Sequence, residues 1–315
     1  MNVRRAVGGL LAITVVYLAA LVWIDSRNHV FAQVPTLLGL MPVVVAFAFV
    51  SYVVRYARWH RLLVRAGSGT SIGFGFLAYL TGFAFTATPG KVGELVRIRY
   101  LQRAGVAPSV VLAAFVFERA CDLVVVLVIA AAAMPRRDLF VAMCAFVVLA
   151  VVAVVWLGRQ GAALTRVATA LQRRGWPRLA RLVGVLRDGL TGCRVWFNVG
   201  DLTMSLAVGF VAWLVTAFAF AWLIDRLGIE VPLRLALTIY PLAMLAGAAS
   251  MLPGGIGTTE ATIVVLLASA GIAPVDGAVA AIGIRLATLW FAVVCGFAAI
   301  GVLELRRDPA SREAS

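Results

Sequence analysis

The chain has 315 residues, 63% of them apolar and 13% charged, with a mean hydropathy of +1.01. A soluble domain is about half apolar and a quarter charged, so this composition excludes an ordinary soluble enzyme, a disordered chain and a disulfide-stapled secreted scaffold. The net charge of +14, from 28 Lys and Arg against 14 Asp and Glu, would suggest nucleic acid in a soluble protein. Here the arginines lie mostly between apolar stretches, where they orient spans and meet lipid surfaces, and no nucleic-acid partner is implied.

A bilayer-crossing helix needs about 20 apolar residues. Val7–Ile24 is the first candidate. The opening Met1-Asn-Val-Arg-Arg imitates a signal peptide, but the apolar run is long for one and Asp25 and Arg27 precede any cleavage site, so it reads as a retained span. Gly39–Tyr56 is the second span. Ile72–Thr88 runs into Pro89-Gly90, and after about 15 residues Val110–Met134 and Leu139–Leu157 follow as full spans. Gly161–Val195 is basic with spaced Leu and Val, the pattern of an interfacial amphipathic helix, interrupted at Gly175-Trp176-Pro177. Leu202–Ile224 crosses again, Leu235–Leu252 runs into Pro253-Gly254-Gly255, and Val275–Leu303 is the last span. Broken helices at membrane depth are tolerated when buried in protein or lining a wet cavity. The sequence therefore predicts an all-α polytopic membrane protein with about six full spans and two re-entrant broken-helix hairpins. It forms a single membrane domain over 1–315, with one repeat at about 72–134, an amphipathic segment at 159–200 and a second repeat at about 235–303.

With both termini cytoplasmic, 21 of the 28 Lys and Arg fall on the cytoplasmic side, among them Arg55, Arg58, Arg61, Arg65, Lys91 and Arg97. Five fall outside (Arg27, Arg136, Arg137, Arg226, Arg234), and Arg119 and Arg285 lie within spans. That asymmetry fits the positive-inside rule. Four scattered cysteines form no CxxC pair, and two histidines, His29 and His60, cannot fill a metal site. No cofactor is expected.

The two hairpin motifs repeat. Pro89-Gly90-Lys91-Val92-Gly93-Glu94 matches Pro253-Gly254-Gly255-Ile256-Gly257-Thr258-Thr259-Glu260. Each glutamate is followed by Gly-x-Ala-Pro (Gly105–Pro108, Gly271–Pro274) and, 25 residues on, by an arginine, Arg119 or Arg285. Three expected spans separate the copies, so the hairpins enter from opposite faces, as in inverted-repeat transporters. If each following span starts at its proline, the arginine lies about 16 Å along the helix, near the centre of a hydrocarbon core about 30 Å thick. A charge there costs at least ~2.5–3.5 kcal/mol and needs a partner. Arg119 has Glu118 beside it and Asp122 at i+3; for Arg285 the candidates are Glu94, Glu260 or an anionic ligand. The helix starts after the turns favour an anion, with Lys91 adding charge. Glu94 and Glu260 complement the helix dipole, pair with an arginine or cationic headgroup, or carry a proton, and in a lipid translocase Arg119 and Arg285 would receive the lipid phosphate near the midplane.

Thr88-Pro-Gly-Lys-Val-Gly-Glu94, Leu252-Pro-Gly-Gly-Ile-Gly-Thr-Thr-Glu260, Phe117-Glu-Arg-Ala-Cys-Asp122 and the late Arg285 resemble the membrane region of the lysylphosphatidylglycerol synthase/flippase family, over nearly the whole chain. The resemblance implies a bacterial inner-membrane protein that moves a lipid between leaflets: a phospholipid, or a hopanoid or polyprenyl-linked lipid. Full-length synthases carry a soluble aminoacyl-transferase domain after the membrane part. This sequence ends at Ser315, so lysyl transfer is not expected and the protein reads as a non-enzyme. Membrane lipids are then its partners, with lipid-synthesis enzymes as further candidates. A secondary transporter of a soluble anion, or a structural partner of a lipid-modifying complex, fits the same residues.

Overall fold

The computed structural model describes residues 34–132 and 160–306, with helical positions 141, 145, 149 and 156 between them. The expected first span Val7–Ile24, most of Leu139–Leu157, and Arg136 and Arg137 lie outside the described residues. Among the described residues there are helices and turns but no strand. The protein is an all-α, multi-pass membrane protein.

Among the described residues three helical stretches are long and apolar enough to cross a bilayer: α1 (Val34–Arg65), α7 (Val199–Arg226) and the continuous run Pro274–Leu305. The first is 32 residues, about 48 Å at 1.5 Å per residue. It continues through Pro42 and well past the expected end at Tyr56. Helix α4 (Pro108–Ala132) has 25 residues, carries Glu118, Arg119 and Asp122, and starts on a proline, whose missing N–H is no loss in a first turn. α7 is opened by Asn198, whose side-chain oxygen accepts the Asp201 N–H at 2.9 Å.

Both broken-helix motifs form hairpins. The first runs through α2 (Ile72–Thr81), the 3-10 turn Gly82–Phe85, a bend, the 3-10 segment Pro89–Val96 and α3 (Arg97–Arg103). The second pairs α8 (Leu233–Ala249) with α9 (Thr258–Ser269) around the turn Pro253–Gly255. At 17 and 12 residues, α8 and α9 reach about 26 and 18 Å, each less than the apolar core of a bilayer.

The chain divides into two compact units. Of the described residues, the first takes 34–52, Phe76–Arg97 and 214–306. Its core gathers Phe220, Leu223, Ile239, Tyr240, Ala280 and Ile284. The last stretch comprises α10 (Pro274–Arg285), one π-helical turn at Leu286–Trp290 and α11 (Phe291–Leu305). The Thr288 carbonyl in the π turn accepts the Tyr52 hydroxyl at 2.8 Å, satisfying a backbone group in a turn type that recurs at functional sites. The second unit holds Val53–Gly75 and Ile98–Trp213. In it α6 (Pro177–Gly192) lies on α4, and Gly189 and Gly192 leave room for Val116 and Ala113. α5 (Gly161–Arg173) packs on α6 and has no buried residue.

Candidate functional site

In the first unit the two hairpin tips touch. A Cβ built on Gly254 would lie 3.3 Å from the Ala87 backbone, so the turn Pro253–Gly255 rests on the bend before Pro89. Each tip is tied by a glutamate–arginine pair, but the two are wired differently. At the second tip Glu260 Oε1 accepts Arg285 Nε at 2.8 Å, while Oε2 accepts the Gly257 N–H at 2.7 Å. One carboxylate thus caps α9 and pairs with Arg285. The same guanidinium donates through Nη2 to the Gly254 carbonyl at 2.6 Å. Arg285 is 1% exposed, so its charge serves to hold the turn in place.

At the first tip Glu94 pairs with Arg97, three residues on. Oε2 accepts Arg97 Nη2 at 2.7 Å, Oε1 accepts the Thr86 hydroxyl at 3.0 Å, and the Glu94 carbonyl accepts Arg97 Nε at 2.9 Å. The Arg97 guanidinium also lies over the Tyr79 ring, 4.7 Å from its centroid. Glu94 stands late in a 3-10 segment rather than in a first α-helical turn. The N–H groups of the turns, which precede the helix starts, have acceptors within the protein. The Lys91 N–H goes to Thr88 O, the Gly93 N–H to Thr88 Oγ1, the Gly255 N–H to Leu252 O and the Gly257 N–H to Glu260. The Lys91, Gly93 and Gly255 donors fold back on residues before them, and the Gly257 N–H bonds forward to the Glu260 side chain.

In the second unit α4 presents Glu118, Arg119 and Asp122. Two carboxylates one helical turn apart share a face, and two arginines of α1, themselves three residues apart, meet them. Arg58 Nη2 donates to Glu118 Oε1 at 3.0 Å and Asp122 Oδ1 at 2.7 Å, and Nη1 to the Ser205 carbonyl at 3.3 Å. Arg55 reaches Asp122 Oδ2 at 2.9 Å with its guanidinium over the Trp213 ring. Arg119 lies 3.1 Å from Asp122 Oδ2 and 3.5 Å from Glu118 Oε2. Arg58 and Glu118 are sealed from solvent, whereas the Arg119 side chain is 26% exposed. Arg119 Nη2 thus meets both acids, its guanidinium lies 5.8 Å from the Phe115 ring centroid, and a quarter of the side chain stays exposed beside them.

Reading from sequence placed Arg58 and Arg97 among cytoplasmic loop charges; both are buried within the protein. The signal for Arg58 was present: Tyr56, Trp59, Leu62 and Leu63 extend the apolar helical pattern to residue 65. Nearby, the Cys193 thiol donates to the carbonyls of Gly189 and Ala113, and burial pushes its pKa up to about 12. Among the described residues no three His, Cys, Asp or Glu side chains group as a metal site.

The profile of a family described as the lysylphosphatidylglycerol synthase TM region matches residues 6–296. The chain is also similar to a UPF0104 membrane protein of Methanothermobacter thermautotrophicus, 27% identical over 99 residues. That alignment covers 31% of this chain and 29% of the relative.

Proposed function

This chain belongs to the lysylphosphatidylglycerol synthase transmembrane-region family, and on that premise we propose that it moves a lipid with an anionic headgroup between the leaflets of a bacterial inner membrane, with both termini cytoplasmic. The observation that carries the reading is the meeting of two broken-helix tips, Gly254 against Ala87, each tied by a Glu–Arg pair. Interrupted helices meeting in this way are how inverted-repeat transporters build a path at the midplane. In this reading Arg119, whose side chain is partly exposed beside its acids, receives the phosphate, while Arg285 and Arg97 hold the two tips. Glu118 and Asp122 orient Arg119, and Lys91 adds charge at the first tip. No Walker-type nucleotide loop stands in the sequence, so lipid gradients or ion gradients supply the work.

The test is leaflet exchange of fluorescent phosphatidylglycerol in reconstituted vesicles, read by dithionite quenching. Arg119→Ala should slow exchange at least about tenfold, the scale of one charge-assisted contact, with the thermal melt unchanged. Arg119→Lys should fall between. Undiminished exchange in Arg119→Ala, or none above empty vesicles for the unmodified protein, overturns the proposal. Uptake of labelled sulfate or phosphate in its place would move the assignment to a soluble-anion transporter.

A further inference from the structure

Outside the charge cluster, the second unit carries a surface that the transport reading does not use. From Gly161 to Arg187 the sequence has six arginines (Arg166, Arg173, Arg174, Arg178, Arg181, Arg187) and no acid. The segment folds as α5 and α6, separated by a left-handed turn at Gly175. Glycine contacts fix α6 to the spanning helix α4, and α5 lies outside α6 with no residue buried. Residues three and four apart share a helix face. Thr165, Arg166, Thr169 and Arg173 accordingly fall on one face, and with Ala170 and Arg174 they line an open concavity of about 470 Å³. The Thr165 and Thr169 hydroxyls bond back to the Gly161 and Thr165 carbonyls, which leaves the guanidiniums as the outward donors. Beside them Val167, Trp176 and Leu179 are 48, 57 and 44% exposed.

An exposed apolar edge with a tryptophan, next to Arg166, Arg173 and Arg174 in a run whose nearest acid, Asp188, pairs with Arg187, is the chemistry of an interfacial helix on an anionic lipid surface. We propose that α5 and the Gly175 turn dock on the headgroup layer beside the protein, with Arg166, Arg173 and Arg174 binding phosphates of anionic phospholipids in the concavity and Val167 and Trp176 entering the acyl boundary. This surface is distinct from the Arg119 site. It recruits or senses anionic lipid whether or not lipid is carried across.

Limited trypsin cleavage of the full chain in nanodiscs tests the docking, with cuts mapped by mass spectrometry at Arg166, Arg173 and Arg174. In discs with about a third phosphatidylglycerol these cuts should be at least about tenfold slower than in phosphatidylcholine discs, given the attraction of each arginine to an anionic surface. Cleavage after Arg194, exposed and in the 3-10 segment that follows α6, should not change. Raising salt from about 50 mM to about 0.5 M should abolish the difference by screening. In Thr165→Glu/Thr169→Glu, which keeps every cleavage site but sets two carboxylates among the arginines, the ratio between disc types should fall towards one. Equal cleavage in both discs at low salt overturns the proposal. Protection that survives high salt or the double variant also overturns it. Because leaflet exchange is not the readout, failure here leaves the Arg119 assignment standing, and failure there leaves this one standing.

Discussion

The two hairpin tips share a sequence frame and differ in how it is wired. In both copies 25 residues separate the glutamate from the later arginine. In the second copy that spacing is a contact, Glu260 to Arg285. In the first, Glu94 binds Arg97 instead, and Arg119 lies with Glu118 and Asp122. The reason is visible when the copies are aligned on their glutamates. Arg97 stands where the second copy has Ile263, and Glu118 and Asp122 stand where it has Ile284 and Thr288. A local cation satisfies Glu94, and local acids satisfy Arg119. A repeat therefore marks where charge is needed, while the residues within a turn of each charge decide its partner.

The largest effect should come from making the first copy resemble the second at that position. Arg97→Ile leaves the buried Glu94 carboxylate without its ion pair, which should cost about 3–5 kcal/mol, read as thermal unfolding in detergent. Glu94→Gln in the same background should recover at least half of that, because the amide oxygen can still accept the Thr86 hydroxyl. A loss below about 1 kcal/mol for Arg97→Ile alone, far short of an uncompensated buried charge, would mean that Glu94 reaches a second cation and that the tips are wired more alike than their contacts suggest.

How much of this was legible beforehand divides along the same line. The all-helical membrane fold followed from runs of apolar residues, and both tips were marked by Pro-Gly turns that cannot continue a helix. Glu260 was one of two candidate acids for Arg285. The Glu94–Arg97 pair and the meeting of Arg55 and Arg58 with α4 were not foreseen. The apolar run Gly39–Tyr56 stops short of Arg58, whereas Trp59, Leu62 and Leu63 carry a buried face through a further two turns. The count of cytoplasmic arginines also took in Arg97, a core residue. The π turn after Arg285 left no mark in composition, since backbone hydrogen-bond register is set by packing among α10, α11 and Tyr52.

A middle-sized effect tests how closely the first hairpin is packed onto the last helix. Gly296 sits on the backbone of Ala84, and a methyl group there would collide with the Ala84 nitrogen. Gly296→Ala should cost about 1–3 kcal/mol by overpacking. Gly301, which has open space around its Cβ position, is the control: Gly301→Ala should be neutral or slightly stabilising, since alanine is the better helix former. Equal losses at the two sites in a thermal melt would show that the close approach at Ala84 is not what limits substitution.

The smallest effect has opposite signs in the two tips. Lys91 and Gly255 occupy matching places after Pro-Gly, and both are left-handed, with φ of 56° and 65°. A side chain there costs about 1–2 kcal/mol, so the first copy carries a strain that glycine spares the second. Lys91→Gly removes the strain but frees the unfolded chain, which takes back about 0.4–1 kcal/mol. A net gain of roughly 0.5–1 kcal/mol should remain. Lys91→Ala keeps the strained backbone and should gain nothing; if it stabilises as much as Lys91→Gly, the relief comes from the charge and not the backbone. Gly255→Ala, strained in φ and 2.8 Å from Thr259 Oγ1, should lose stability. Under the lipid-transport proposal Lys91 adds charge at the first tip, so Lys91→Gly should also slow exchange of anionic lipid while raising the melting temperature, a trade that a purely structural lysine would not show.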